Sequence, residues 1–139
     1  MKAIKKIIVV DDDADDREFI HEAFQEIKNE HTSIEVLNNG EHLMEQLQSC
    51  DKEEFPSLIL LDLNMPGKDG KTLLVELKTN EQYAHIPVVI LTTASSDKER
   101  NSCYDSGANC FVTKPSQFNH MVELLQTLVS LWVPNRNYF

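Results

Sequence analysis

Aspartate gathers where this sequence could do chemistry: Asp11-Asp12-Asp13 near the start, Asp15 and Asp16 just behind, and Asp62 much later. Thr92 and Lys114 add a hydroxyl and a cation. Clustered carboxylates repel one another unless a cation joins them. An oxygen-only donor set favours a hard ion, and Mg²⁺ typically takes one or two carboxylates while keeping several waters. The three negative charges of Asp11, Asp12 and Asp62 are balanced if Mg²⁺ and Lys114 both join them. Such a site suits incoming phosphoryl oxygens, with the ion as Lewis acid and Lys114 as a positive clamp. A carboxylate can itself attack phosphorus and form an acyl phosphate. Asp62, beside the metal and facing the lysine, is the candidate nucleophile, because in-line transfer needs mainly positioning and charge neutralisation.

These residues act together only if the fold brings them to one place, and the apolar pattern predicts that it does. Ile7–Val10 and Leu58–Leu61 are continuous apolar runs, as expected of parallel strands buried on both faces. Pro87 precedes a third such run, Val88–Leu91, at a strand position that tolerates proline. Ser33–Leu37 carries Glu35 inside it and reads as an edge strand, as does the short Asn109–Thr113. Helices are predicted between them: residues 14–28, with Ile20, Ala23, Phe24 and Ile27 at helical spacing; a short one around Leu43, Met44 and Leu47; one around Leu73, Leu74 and Leu77; 97–106; and 117–132. Met65-Pro66-Gly67 reads as a turn. Asp13 and Asp69 read as helix caps, and Ser96 with Glu99 as a capping box. The helix at 97–106 offers little apolar surface beyond Cys103 and Tyr104 and is expected to be weakly anchored.

Strict β-α alternation predicts an α/β fold: a doubly wound five-stranded parallel sheet, order 2-1-3-4-5, with helices on both faces. Asp11/Asp12, Asp62, Thr92 and Lys114 then each follow a different strand and converge on one crevice, the usual ligand position in such sheets. A single aspartate there is better read as a strand end. Four converging stretches favour a site.

At 139 residues the chain suits one domain, residues 1–133, with 134–139 as a short tail beyond Pro134. A net charge of −10 with scattered Lys and Arg argues against nucleic acid or an anionic membrane as a direct partner. Three cysteines with no Cys-x-x-Cys pair, no signal-like start and no membrane-length apolar run make the chain read as cytoplasmic, with free thiols. The five histidines share no ligand spacing. Asp15 and Asp16 are expected to be a solvated helix start.

Four stretches together resemble a response-regulator receiver domain of two-component signalling: Val-Val-Asp-Asp, Leu-Asp-Leu-Asn-Met-Pro-Gly-Lys-Asp-Gly, Pro-Val-Val-Ile-Leu-Thr-Thr and Gly-Ala-Asn-Cys-Phe-Val-Thr-Lys-Pro. The resemblance spans residues 5–132. It implies that Asp62 accepts a phosphoryl group from a sensor histidine kinase or phosphotransfer protein. It also implies that Asp11, Asp12 and Asp62 hold Mg²⁺ (or Mn²⁺) with the Asn64 backbone carbonyl, and that Thr92 and Lys114 bind phosphoryl oxygens. By the same resemblance Phe111 and Thr92 are switch residues, the Lys114–Pro115 peptide bond is cis, and signalling runs through helix 4, strand 5 and helix 5. Asn64 and Ala94 occupy positions that tune phosphoryl lifetime in the family, and Ser116 stands where many receivers carry Phe.

On this reading the protein is a stand-alone phosphoacceptor regulator, limited as a catalyst to self-phosphorylation and slow self-dephosphorylation. Two other classes compete. An interaction scaffold with the same fold would not need Asp62, Thr92 and Lys114. A phosphohydrolase with an Asp nucleophile would need a second aspartate two residues on, where Asn64 stands. The apolar face of the last helix, with Trp132 and the Tyr138-Phe139 tail, suits plain packing, a homodimer seam through strand 5 and helix 5, or a partner groove. The downstream partner is not readable.

Overall fold

The computed structural model describes residues 4–27, 29–93 and 96–133. The run Lys5–Val10 forms β1, followed by α1 (Ala14–Gln25), β2 (Thr32–Leu37), α2 (Gly40–Ser49), β3 (Leu58–Leu61), α3 (Gly70–Thr79), β4 (Val88–Thr92), α4 (Asp97–Asp105), β5 (Cys110–Thr113) and α5 (Phe118–Trp132). All strand pairs are parallel, in the order β2-β1-β3-β4-β5. The predicted fold and its edge strands are both present.

Burial follows the reason these strands form. Every residue of β3 and β4 is buried, whereas β2 and β5 are only partly so. Alternation sends successive side chains to opposite faces. Leu58 and Leu60 therefore pack with Ile20, Phe24, Met121 and Leu125 of α1 and α5, and Ile59 and Leu61 with Leu43, Leu47, Leu73 and Leu77 of α2 and α3. In β2, Glu35 is held at the sheet edge by Lys6 at 3.6 Å and by the Gln46 amide, which donates to it at 2.7 Å.

Helix starts follow the capping chemistry. Asp13 accepts from the amides of Asp15 and Asp16, Asp69 from Thr72, and Ser96 from Glu99. Gly67 takes φ of 75° in the turn after β3, and Gly107 takes 103° after α4. The differences lie at the ends. α1 stops at Gln25 rather than residue 28 because the Glu26 amide turns back to Ala23 and Phe24; Lys28 itself lies outside the described residues. Asn109 precedes β5 rather than opening it, its side chain accepting from the Val88 amide and from Lys78 Nζ.

α4 buries only Cys103, as expected of a weakly anchored helix. In α5, Trp132 packs partly against the core while Leu131 is 65% exposed. The Tyr138-Phe139 tail, Pro134 and Ala94 lie outside the described residues. Among those described, no helix is long and apolar enough to cross a membrane.

Candidate functional site

Three backbone hydrogen bonds carry the sheet ladder one step past its strands and fix the site. Asp11 N donates to Leu37 O at 3.0 Å, Asp62 N to Val10 O at 3.0 Å, and Lys114 N to Thr92 O at 2.8 Å. Each residue is thus positioned by the neighbouring strand, which is why four distant stretches meet at the carboxyl edge. Asp11, Asp62 and Thr92 are buried, at 1%, 6% and 0% exposure.

Lys114 organises the cluster. Its Nζ donates to Asp11 Oδ2 at 2.6 Å, Asp16 Oδ2 at 2.7 Å and Asp62 Oδ2 at 3.2 Å. Burial alone would push the ammonium down. Its hydrogen bonds to Asp11 and Asp16, with the charges of Asp11 and Asp62, outweigh that and hold it above the ordinary lysine value. At Asp11 the balance goes the other way. Burial pushes its carboxyl up, and the bonds from Lys114 and the Asp13 amide only partly oppose this.

One oxygen each of Asp11, Asp12 and Asp62 lies within 4.8 Å of the others. Two of the three are buried and Asp12 is exposed, so the group opens to solvent on one side. This all-oxygen donor set, facing one lysine, fits a divalent metal ion. Asn64 leans over the site: its amide N donates to Asp62 Oδ1 at 3.3 Å, and its side-chain amide donates to Thr92 Oγ1 at 3.4 Å. An amide here cannot serve as acid or base, which keeps the phosphohydrolase reading disfavoured.

Phe111 is 7% exposed and already packed in the core. Its amide donates to the Tyr104 hydroxyl at 3.0 Å, and the Arg100 guanidinium lies 5.5 Å from its ring centre. The Lys114–Pro115 bond is a correction: no peptide bond among the described residues is cis. Prolyl bonds divide between the isomers within about 1 kcal/mol, and the trans form already allows both Lys114 N→Thr92 O and the three side-chain bonds.

Sequence reasoning missed three contributors. Asp16 is a direct partner of Lys114 rather than a purely solvated residue. Arg17 Nη1 donates to the Asp11 carbonyl at 2.9 Å and secures the turn behind the site. Gly70 packs directly beneath Asp62, since a Cβ there would lie 2.1 Å from the Asp62 carbonyl oxygen.

The family described as response regulator receiver domain matches residues 7–126. This chain belongs to the response-regulator receiver family. Among curated proteins, this receiver is 34% identical over 132 residues to the response regulator Rcp1 of Synechocystis sp., covering 93% of this chain and 89% of that one. Among solved structures, the Mn²⁺-bound form of Rcp1 superposes with a TM-score of 0.79 at 33% identity, covering 92% of this chain and 94% of that one. The phosphorylated cyanobacterial phytochrome response regulator RcpA gives 0.83 at 31% identity, covering 94% and 95%. Receiver domains generally signal rather than catalyse.

Proposed function

We propose that Asp62 is the phosphoacceptor of this receiver, taking its phosphoryl group from a sensor histidine kinase or phosphotransfer protein. The observation that carries this is the position of Asp62: buried, 3.2 Å from Lys114, and grouped with Asp11 and Asp12 within 4.8 Å. In the transfer, an Asp62 carboxylate oxygen bonds to phosphorus while the phosphorus–nitrogen bond of the donor phosphohistidine breaks. The imidazole nitrogen keeps that electron pair and takes up a proton from water. Asp11, Asp12, Asp62 and the Asn64 carbonyl would hold Mg²⁺, for which Mn²⁺ can substitute, and the ion would neutralise charge on the phosphoryl oxygens. The hydrogen of Lys114 now directed at Asp62 is the one free to pass to a phosphoryl oxygen.

Thr92 supplies the readout. Among the described residues its hydroxyl accepts the long 3.4 Å bond from Asn64, and turning to donate to a phosphoryl oxygen gives up little of it. Because Phe111 is already buried, the switch is a repacking of its contacts with Tyr104 and Arg100 rather than the burial of an exposed ring. Such a shift is worth about 1–3 kcal/mol. The output is then a changed surface on α4, β5 and α5, met by a downstream protein. A homodimer through β5 and α5 would use Leu131 rather than the inward-packed Trp132. The net charge of −10 continues to disfavour nucleic acid as a direct partner, and the cytoplasm is the compartment this role implies.

The test is incubation with acetyl phosphate and Mg²⁺, read by intact mass. Wild type should gain one phosphoryl group, and Asp62→Asn should gain none. A wild type that gains nothing, and that also fails to bind fluoroberyllate, would sink the assignment.

A further inference from the structure

Asp16 is the partner of Lys114 to which the proposed chemistry gives no task. The lysine has three N–H bonds and all three go to carboxylates, with Asp11 and Asp16 closer, at 2.6 and 2.7 Å, than Asp62 at 3.2 Å. Asp16 is not one of the carboxylates close enough together to share an ion. A cation held by Asp11, Asp12 and Asp62 therefore leaves the grip of Asp16 on the lysine untouched.

We propose that Asp16 is a positioning residue that restrains Lys114 on the α1 side, and so limits how tightly the site holds a phosphoryl group. The inference rests on the phosphoacceptor reading of Asp62. Two effects act in the same direction. A charge-assisted bond of this length is among the strong ones and must stretch before the ammonium can lean toward a phosphoryl group on Asp62. The carboxylate also places a negative charge beside the path of an incoming anion, in a crevice where Lys114 is only 5% exposed and screening is weak. Asp16 touches neither the phosphoryl group nor the metal in this scheme, and acts through its hold on the lysine and through its charge. If instead the pair merely tied α1 to the β5–α5 turn, its loss would lower stability and leave phosphoryl affinity unchanged or weaker.

Substitution here is tolerable to the fold. The Asp16 side chain is 36% exposed, and it lines a cavity of about 360 Å³ with Asp15, Phe19, Lys114 and Met121, so no sealed core is opened. The experiment titrates fluoroberyllate, a phosphoryl mimic, into the full chain at saturating Mg²⁺. Asp16→Asn and Asp16→Ser should both bind it roughly fivefold or more tightly than wild type, the scale of part of one charge-assisted bond. Asp16→Glu, which restores the carboxylate, should return to within about twofold. Asp15→Asn makes the same charge change one residue away, on an exposed side chain, and should move affinity by less than about twofold. Unchanged or weakened binding in both Asp16→Asn and Asp16→Ser overturns the inference, as does equal tightening in Asp15→Asn. A wild type that binds no fluoroberyllate overturns the phosphoacceptor reading and this inference together. A wild type that binds, with Asp16 variants that do not tighten, overturns this inference alone.

Discussion

Asp11 is where opposing forces meet most directly. It is 1% exposed and 2.6 Å from Lys114, yet burial wins and its carboxyl is pushed up. A carboxyl raised in the folded state binds its proton more tightly there than in the unfolded chain. Its favourable contribution is complete below the unfolded value of about 3.8 and is lost as pH rises through the folded value. At neutral pH without metal, Asp11→Asn should therefore melt higher, by roughly 2–4 °C for a chain of this size. The gain should shrink toward zero as pH falls to about 4 and below. Added Mg²⁺ should stabilise wild type more than the variant, because binding to the native state alone raises stability and the variant lacks a ligand. Calorimetry across pH, with and without Mg²⁺, decides it, and a variant that melts lower at neutral pH would show that the Lys114 bond outweighs burial. Asp11, Asp62, Thr92 and Lys114 were legible in the sequence because each follows an apolar run, where a parallel sheet delivers side chains to one edge. Asp16 was not, although counting back four from the buried Ile20 lands on it. Helical spacing put it on the inward stripe, but only the position of Lys114 decides whether an inward aspartate meets a cation or solvent.

At the scale of elements, the start of α3 shows what a one-dimensional pattern omits. Asp69 was readable as a cap and Gly67 as a turn, because both are local effects. The need for Gly70 is not local. It arises where the helix start crosses beneath the chain leaving β3, so close that a Cβ would lie 2.1 Å from the Asp62 oxygen and 2.6 Å from Leu63 Cα. Both obstacles are backbone, and neither can rotate away. Gly70→Ala must push α3 outward or shift Asp62, and overpacking of this kind costs about 2 kcal/mol or more. Denaturant unfolding should register that loss. The same variant should gain phosphoryl from acetyl phosphate at least about tenfold more slowly, since small displacements of reacting groups are amplified in rate. A variant with lowered stability but full transfer rate would mean that α3 yields while the Asp62 backbone stays put. Element ends moved for a similar reason. The periodicity of α1 continued to Ile27, which still packs against the core, but the chain leaves the helix at Glu26 through a tighter turn that apolar spacing does not encode.

For the whole molecule, the sheet order was readable because burial on two faces differs from burial on one, and only the central strands have uninterrupted apolar runs. The unequal anchoring of the helices was readable too, and it sets where the molecule can respond. α3 buries Leu73, Leu74 and Leu77, and α5 buries Met121, Leu125, Leu128 and Val129, while α4 buries only Cys103. Among the described residues, its other side-chain ties are Lys71 Nζ to Ser102, the Phe111 amide to the Tyr104 hydroxyl, and Arg100 over the Phe111 ring. The path from the site to that helix is short. Thr92 is paired in register with Thr113, and Ile90 with Phe111, so a change at the Thr92 hydroxyl reaches β5 across a single strand boundary. A phosphoryl mimic with Mg²⁺ should therefore alter amide hydrogen exchange unevenly. Amides of Asp97–Asp105 and Cys110–Thr113 should change by roughly threefold or more, beyond any uniform rise in protection from ligand binding, with the Phe111 amide among the most affected. Those of α2, on the sheet's far half, should follow only the uniform component. Tyr104→Phe removes the acceptor of the Phe111 amide and should by itself raise exchange at Phe111 and along α4 without the mimic. Equal changes in α2 and α4 would mean that the domain tightens as one body, and that weak anchoring of α4 does not direct the response.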